Sequence, residues 1–314
     1  MTDDRGFALL AVMLVLALLG VVVAEFAFSM RLEATMVRNY KDEVIGLHLA
    51  EAAVEQAIRE LLTEAPLVGL VGQEALLTFF RSPTQPLPRL PRSDVKLGSG
   101  QFGYRITDEE GRLHLNTVRP DRLDRLLLSL GVDKQLRDTI NDSLQDWKDP
   151  NELHRPNGAE SEDTYLKLPI PYRARNAPLE DLAELLQIKG ITPALYSGTG
   201  GGPGLGELVT TRGGGQVNMN TAPERVLTAL GLSDAEVSEI VQSRQSTPYA
   251  AVPPRFVGRG LGVTSATYRI EAVGWVGGEA RVRVLAVVEK PSETGPGGPA
   301  ARILSWNPSP VERP

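Results

Sequence analysis

Phe7 to Ala24 (FALLAVMLVLALLGVVVA) is an unbroken apolar run behind a short polar leader, Met1 to Gly6. As a helix, those 18 residues extend about 27 Å, enough to cross a hydrocarbon core. The helical pattern then continues outward. Glu25 to Leu62 is rich in strong helix formers, and the first proline is Pro66. The spacing predicts one helix over residues 7–65, with 7–24 in the membrane. In its outer half Val37, Val44, Leu47, Val54, Ile58 and Leu61 recur at 3–4 spacing, which predicts a packing face for a sheet or a neighbouring helix.

Beyond the rod the period changes. Residues 83–91 (PTQPLPRLP) read as a proline-rich connection. In Gly100 to Asn116, Phe102, Tyr104 and Ile106 alternate, Asp108-Glu109-Glu110-Gly111 turns, and Leu113 and Leu115 alternate again, which predicts a hairpin. From Pro120 to about Tyr196 the pattern is helical, and Gly198 to Gly215 has the composition of a flexible surface loop. Two further helical stretches follow. Thr267–Val276 and Glu279–Glu289 then flank Gly277-Gly278 as a tight hairpin. The order implies an α+β protein: a long N-terminal transmembrane helix, a small antiparallel sheet head over 66–116 and 213–290, and an all-helical subdomain inserted at 117–212. The tail, 291–314, reads as flexible.

Two stretches echo one another. LHLNTVRPDRL (113–123) and VNMNTAPERV (217–226) each run strand, Asn-Thr, proline, acidic-Arg and helix, ending at Leu-Gly (Gly131, Gly231). Thr117 and Thr221 are expected to be N-caps. Leu185 to Ile191 resembles the turn of a helix-hairpin-helix, a module that can hold DNA phosphates, although the surrounding chain is acidic.

The leader is open to three readings. Its acid content and the length of the apolar run argue against a removed secretory signal. A plain signal anchor is compatible with it. The Gly6-Phe7 junction, followed by a helix that outruns the membrane, fits a prepilin-type signal cleaved between those two residues. Phe7 would then be the mature N-terminus and Ala11 its fifth residue. No carboxylate lies between Phe7 and Ala24.

Composition removes several chemistries. Cysteine is absent, so there are no disulfides and no thiolate ligands. The formal net charge of −6 gives no general attraction to nucleic acid. The three histidines, His48, His114 and His154, lie in no recognisable catalytic motif, and His114 alternates with leucines as a solvent-facing position would. The sequence predicts no enzyme. Its densest set of oxygen donors is residues 146–163 (DWKDPNELHRPNGAESED), where six carboxylates would repel unless solvated or sharing a cation such as calcium.

The segments RGFALLAVMLVLALL, GRLHLNT, DWKDPNELHRPNGAESEDTY, NAPLEDLAELLQIKGI and VNMNTAPERVL, in this order, resemble the K-type minor pseudopilins of type II secretion systems (GspK) over nearly the whole chain. The resemblance implies prepilin-peptidase cleavage between Gly6 and Phe7, N-methylation of Phe7, and a place at the tip of a periplasmic pseudopilus. The expected partners are the I- and J-type minor pseudopilins, the major pseudopilin and possible exported substrates, with the anchor in the bacterial inner membrane and the head in the periplasm. Ordinary pilins carry a glutamate at the place of Ala11, and its loss suits a terminal subunit. The resemblance also implies calcium in the inserted domain, with Asp146, Asp149, Asn151, Glu160 and Asp163 as ligand candidates. A type IV pilus or DNA-uptake minor pilin, or a plain membrane-anchored binding domain, would share the leader and rod.

Overall fold

The computed structural model describes residues 4–72, 74–291 and 300–311. Met1–Asp3 of the leader, Gln73, and residues 292–299 and 312–314 of the expected loose tail lie outside the described residues.

Helix α1 (Asp4–Leu61) is continuous for 58 residues, about 87 Å at the α-helical rise. It is the single described helix long and apolar enough to cross a membrane, with mean hydropathy 2.8 over its most apolar window. Its first half is exposed among the described side chains, and large ones stay bare from Phe7 to Tyr40. Only the second half is packed. The buried seam is Leu49, Ala50, Ala53, Val54, Ala57 and Leu61. Of the expected stripe, Val54 and Leu61 are buried, Val44, Leu47 and Ile58 half-buried, and Val37 exposed. The alanines carry the contact because the sheet lies too close for larger side chains. A Cβ on Gly274 would stand 2.1 Å from the Gly46 carbonyl oxygen, and one on Gly100 would stand 2.5 Å from Leu49.

The remaining elements are β1 (Leu67–Val71), β2 (Leu76–Ser82), β3 (Gln85–Pro86), β4 (Val95–Leu97), β5 (Gly100–Asp108), β6 (Leu113–His114), α2 (Pro120–Ser129), α3 (Lys134–Lys148), α4 (Pro193–Ser197), α5 (Leu205–Leu208), β7 (Val209–Thr210), β8 (Val217–Asn218), α6 (Glu224–Ala229), α7 (Asp234–Ser246), β9 (Leu261–Gly262), β10 (Thr267–Val276), β11 (Glu279–Glu289) and β12 (Arg302–Pro310). The main sheet is antiparallel with order β12-β11-β10-β5-β4. Its helix-facing side is Phe102, Tyr104 and Ile106, then Tyr268, Ile270 and Ala272, then Val282, Val284, Ala286 and Val288, all buried at alternate positions. The β10–β11 turn has φ of +64° at Gly277 and +83° at Gly278, the backbone that a two-residue hairpin favours.

Several expectations change here. The predicted 100–116 hairpin does not form. β5 pairs with β4 and β10, and β6 instead bridges β7 in parallel, because burial of Leu113 and Leu115 in the helical block outweighs a local return. The inserted block is larger than 117–212. Asp108 faces Tyr268 across β5 and β10, so the chain leaves and re-enters the sheet at one level, and the intervening 109–266 form the block. Its core joins Leu115, Leu126 and Trp147 to Val217, Met219, Val226, Ile240, Phe256 and Leu261. The glycine-rich stretch 198–215 is an internal connection of this block and holds α5 and β7, with Leu205, Leu208 and Val209 buried. Nor is the whole tail loose: Arg302–Pro310 pairs as an edge strand with β11, keeping its prolines at the edge where ladder donors are not needed.

Candidate functional site

Three regions carry functional weight: the bare rod, the acidic loop and the joint between sheet and block. On the rod, Phe7 and Ala11 are exposed one turn apart, and the packed part runs from Asp42, bound by Arg281, to Thr63 and Ala65, whose carbonyls accept from Lys290 Nζ. Lys290 follows the end of β11 that pairs with Thr267, and Thr267 begins at the block's exit. The inserted block therefore stands at the end of the head farthest from the apolar half of the rod.

The joint was not legible as a site; it read as a turn. Asp108 is buried and its carboxylate accepts from Glu110 N (2.9 Å), Asn218 Nδ2 (3.1 Å), Thr221 Oγ1 (2.5 Å) and Ser265 Oγ (2.6 Å). Glu110, also buried, accepts from Thr267 N at 3.0 Å. Burial pushes both carboxyls up, Glu110 to about 8, helped by the charge of Asp108. The four donors around Asp108 favour its anion, so of the pair Glu110 is the carboxyl that holds a proton more readily. Glu109 beside them is paired with Arg112 and Arg269 and accepts from Thr210 Oγ1. Thr221 is thus a ligand of Asp108, and neither it nor Thr117 is an N-cap: α2 and α6 are preceded by Arg119 and Pro223, without side-chain caps.

The echo of the sequence is a repeated fold unit. Asn116 Nδ2 donates to the Leu179 carbonyl and Asn116 Oδ1 accepts from Leu179 N; Asn220 does the same with Tyr249. The α2–α3 turn at Gly131 (φ +81°) matches the α6–α7 turn at Gly231 (φ +86°). Arg125 donates to the Ala229 carbonyl, and Arg225 returns the bond to Ser129. The two hairpins bind each other's helix ends through these arginines. Leu185 and Ile188, from the segment that resembled a helix-hairpin-helix turn, are core residues.

The acidic loop follows α3. Trp147, buried against Tyr165 and Tyr172, fixes its start, and its indole donates to Glu184 Oε2 at 3.3 Å. Asp146 is fully buried and accepts from Arg155 N (3.1 Å), Ala159 N (2.9 Å) and Arg155 Nη1 (2.5 Å). A Cβ at Gly158 would fall 1.8 Å from Asp146 Oδ2, so only glycine allows this turn. Arg155 Nη1 also reaches Asp149 Oδ2 at 2.7 Å. Asp149 Oδ1 accepts from Asn151, while Asp163 Oδ1 accepts from Glu160 N and its Oδ2 meets His154 at 3.3 Å. Glu160 is 1% exposed and both of its carboxylate oxygens lack a partner. Burial first, then Asp146, Glu152, Asp149 and Asp163, push it up to about 7. The five candidate ligands thus share one loop. Their donors are hard oxygens, as calcium prefers, and the orphaned Glu160 fits such an ion. Yet Arg155 holds two of them, and among the described residues no three His, Asp or Glu side chains converge on a point that could hold a metal.

Of the histidines, His48 is exposed on the rod beside Glu51, and His154 lies in the acidic loop. His114 is half-buried, not solvent-facing, and burial lowers its pKa.

Residues 107–198 and 217–253 each match a family model described as type II secretion system (T2SS), protein K. Over these residues the chain resembles that family. The matched residues take in Asp108 and Glu110 of the joint, both helical hairpins and the acidic loop. Protein K of Pectobacterium carotovorum subsp. carotovorum is 28% identical over 62% of this chain and 60% of its own length. Protein K of Pseudomonas aeruginosa is 29% identical over 59% of this chain and 57% of its own. These alignments therefore span under two thirds of either relative. In fold, the chain resembles one from the crystal structure of the GspK-GspI-GspJ complex of enterotoxigenic Escherichia coli, with TM-score 0.60 and 19% identity over 90% of this chain and 100% of that one. The α+β architecture with a long N-terminal helix is thus shared with that solved chain.

Proposed function

We propose that this chain is a minor pseudopilin that acts by assembly, without turnover. Phe7–Ala24 would anchor it in the inner membrane, with the head in the periplasm. There it would cap the pseudopilus in company with I- and J-type minor pseudopilins, prime addition of the major pseudopilin and meet exported proteins. The observation that carries this reading is the position of the inserted block. It crowns the membrane-distal end of the head, where it would obstruct a further subunit, while Ala11 offers no carboxylate to pair with a neighbour's terminal amine. Removal of Met1–Gly6 by a prepilin peptidase, with methylation of Phe7, belongs to the same reading.

The acidic loop would hold calcium through Glu160, joined by Asp146, Asp149, Asn151 and Asp163; the ion would neutralise carboxylates that otherwise repel.

The test is co-expression with I- and J-type partners and a prepilin peptidase, followed by intact-mass analysis and affinity capture. A mass lower by Met1–Gly6 and higher by one methyl group, in a captured three-component complex, is the expected result. An unprocessed chain that captures neither partner in the presence of active peptidase refutes the proposal.

A further inference from the structure

A cavity of about 260 Å³ opens to solvent at the end of α3, lined by Asn116, Gln145, Lys148, Asp149, Arg155 and Pro178. Against about 30 Å³ for a water molecule, it has room for a small organic acid group. Its lining is rich in unspent donors. Lys148 Nζ donates to the Leu115 carbonyl at 2.8 Å, and among the described residues no carboxylate pairs with it. Two of the three ammonium hydrogens are therefore left over. Gln145 lies three residues earlier, on the same face of the helix, and its Nε2 is buried without a partner. Arg155 places Nη1 on Asp146 and Asp149, and among the described residues its Nε and Nη2 bond to nothing. The single acid of the lining is already engaged: Asp149 Oδ2 accepts from Arg155, and Oδ1 from Asn151 N and Nδ2. The Asn116 carboxamide is likewise held by Leu179.

We infer that this cavity is a carboxylate-binding site, in which Lys148 supplies the charge and Gln145 and Arg155 add donors. Charge and geometry choose the ligand. Arg155 is offset by the aspartates it touches, so Lys148 is the cation of the lining without a counter-charge. A carboxylate brings one negative charge and two acceptor oxygens, which suit one ammonium and a neighbouring N–H donor. A phosphate dianion would bring a second charge beside Asp149, with no second free cation to meet it. The carboxylate belongs either to a small free acid or to an acidic side chain of a protein docked on the block. Because the site is built of donors, it stands apart from any cation held by the loop.

The experiment trace-labels the lysines of the full chain in detergent with a neutral succinimidyl ester, and peptide mass analysis quantifies each site. Sodium acetate is titrated against sodium chloride at matched ionic strength. Lys134 and Lys167, in the same block, are the references. Labelling of Lys148 follows the unoccupied fraction, so it should fall about tenfold once acetate reaches ten times its dissociation constant. The references should not change. Gln145→Glu puts a carboxylate of nearly the same size into the cavity, and acetate should then give Lys148 no further protection. Circular dichroism checks that this variant is folded. A capped glutamyl peptide that protects at lower concentration than acetate assigns the carboxylate to a protein side chain; protection by acetate at equal or lower concentration assigns it to a free acid. Equal protection of Lys148 and the references, or undiminished acetate protection in folded Gln145→Glu, overturns the site. Phosphate protecting Lys148 as well as acetate does overturns the choice of a carboxylate.

Discussion

Replacing Glu110 by glutamine tests the joint between sheet and inserted block. In the native protein the Glu110 carboxyl is pushed up to about 8, whereas an unfolded chain leaves it near its ordinary 4.5. Folding therefore takes up close to one proton between about pH 5.5 and 7. The sign follows directly. A folded-state pKa above the unfolded one gives a contribution that is complete below 4.5 and is lost as pH rises towards 8. The slope of that loss is about 1.4 kcal/mol per pH unit while the proton remains bound. Between pH 5.5 and 7.5 the joint thus weakens by about 2 kcal/mol, because the neutral acid must be kept where the unfolded chain would ionise. Glutamine mimics the protonated acid: its carbonyl can accept from Thr267 N, and its amide can donate to Asp108. Glu110→Gln should equal the wild type in stability near pH 5 and exceed it above pH 7.5, by about 2 kcal/mol or roughly 4–8 °C. Urea unfolding across pH 5–8.5 reads this, with Trp147 fluorescence reporting on the block. Subtracting the variant removes opposing titrations, including that of His114, whose pKa is lowered by burial. Parallel pH profiles for wild type and a folded variant would refute the shared proton.

Other substitutions probe the packing. Gly274→Ala should cost about 1–3 kcal/mol, because its Cβ meets the Gly46 carbonyl, and limited proteolysis should then release the head from the rod. Gly158→Ala should disturb the acidic loop while leaving the sheet intact, seen as a change in Trp147 emission at unchanged strand content by circular dichroism. Asn116→Ala and Asn220→Ala should destabilise by similar amounts, about 1–3 kcal/mol each, because each strands a partly buried backbone N–H and carbonyl. A large difference in urea midpoint between the two would deny that the hairpins are equivalent.

Local physics made parts of this protein legible in advance. An apolar run of membrane length, continued without proline, can only be a long helix, and α1 is one. Glycine pairs with positive φ between alternating strands yield a hairpin, as β10 and β11 show. The two stretches in which Asn-Thr precedes a proline announced a repeat, because each leads a strand into the same kind of helical hairpin. Acidic residues near Trp147 could be nominated by type, although not their partners.

What the sequence misjudged depends on contacts far apart in the chain. Leu113 and Leu115 alternate like a strand beside β5, but the buried core of the helical block draws them away. The extent of that block follows from the register of Asp108 against Tyr268, a pairing across more than a hundred and fifty residues that no local pattern encodes. Asp108-Glu109-Glu110 reads as a polar turn until Asn218, Thr221, Ser265 and Thr267 arrive from the far side of the insertion and make it a buried proton-sharing joint. Arg155 is one more loop cation in the sequence; only the folded turn over Gly158 brings it onto Asp146 and Asp149. Length, period and turn residues determined the elements, since these act within a few residues. Burial, charge pairing and the orphaned Glu160 were decided by tertiary structure, because desolvation exists only once distant segments close over a group.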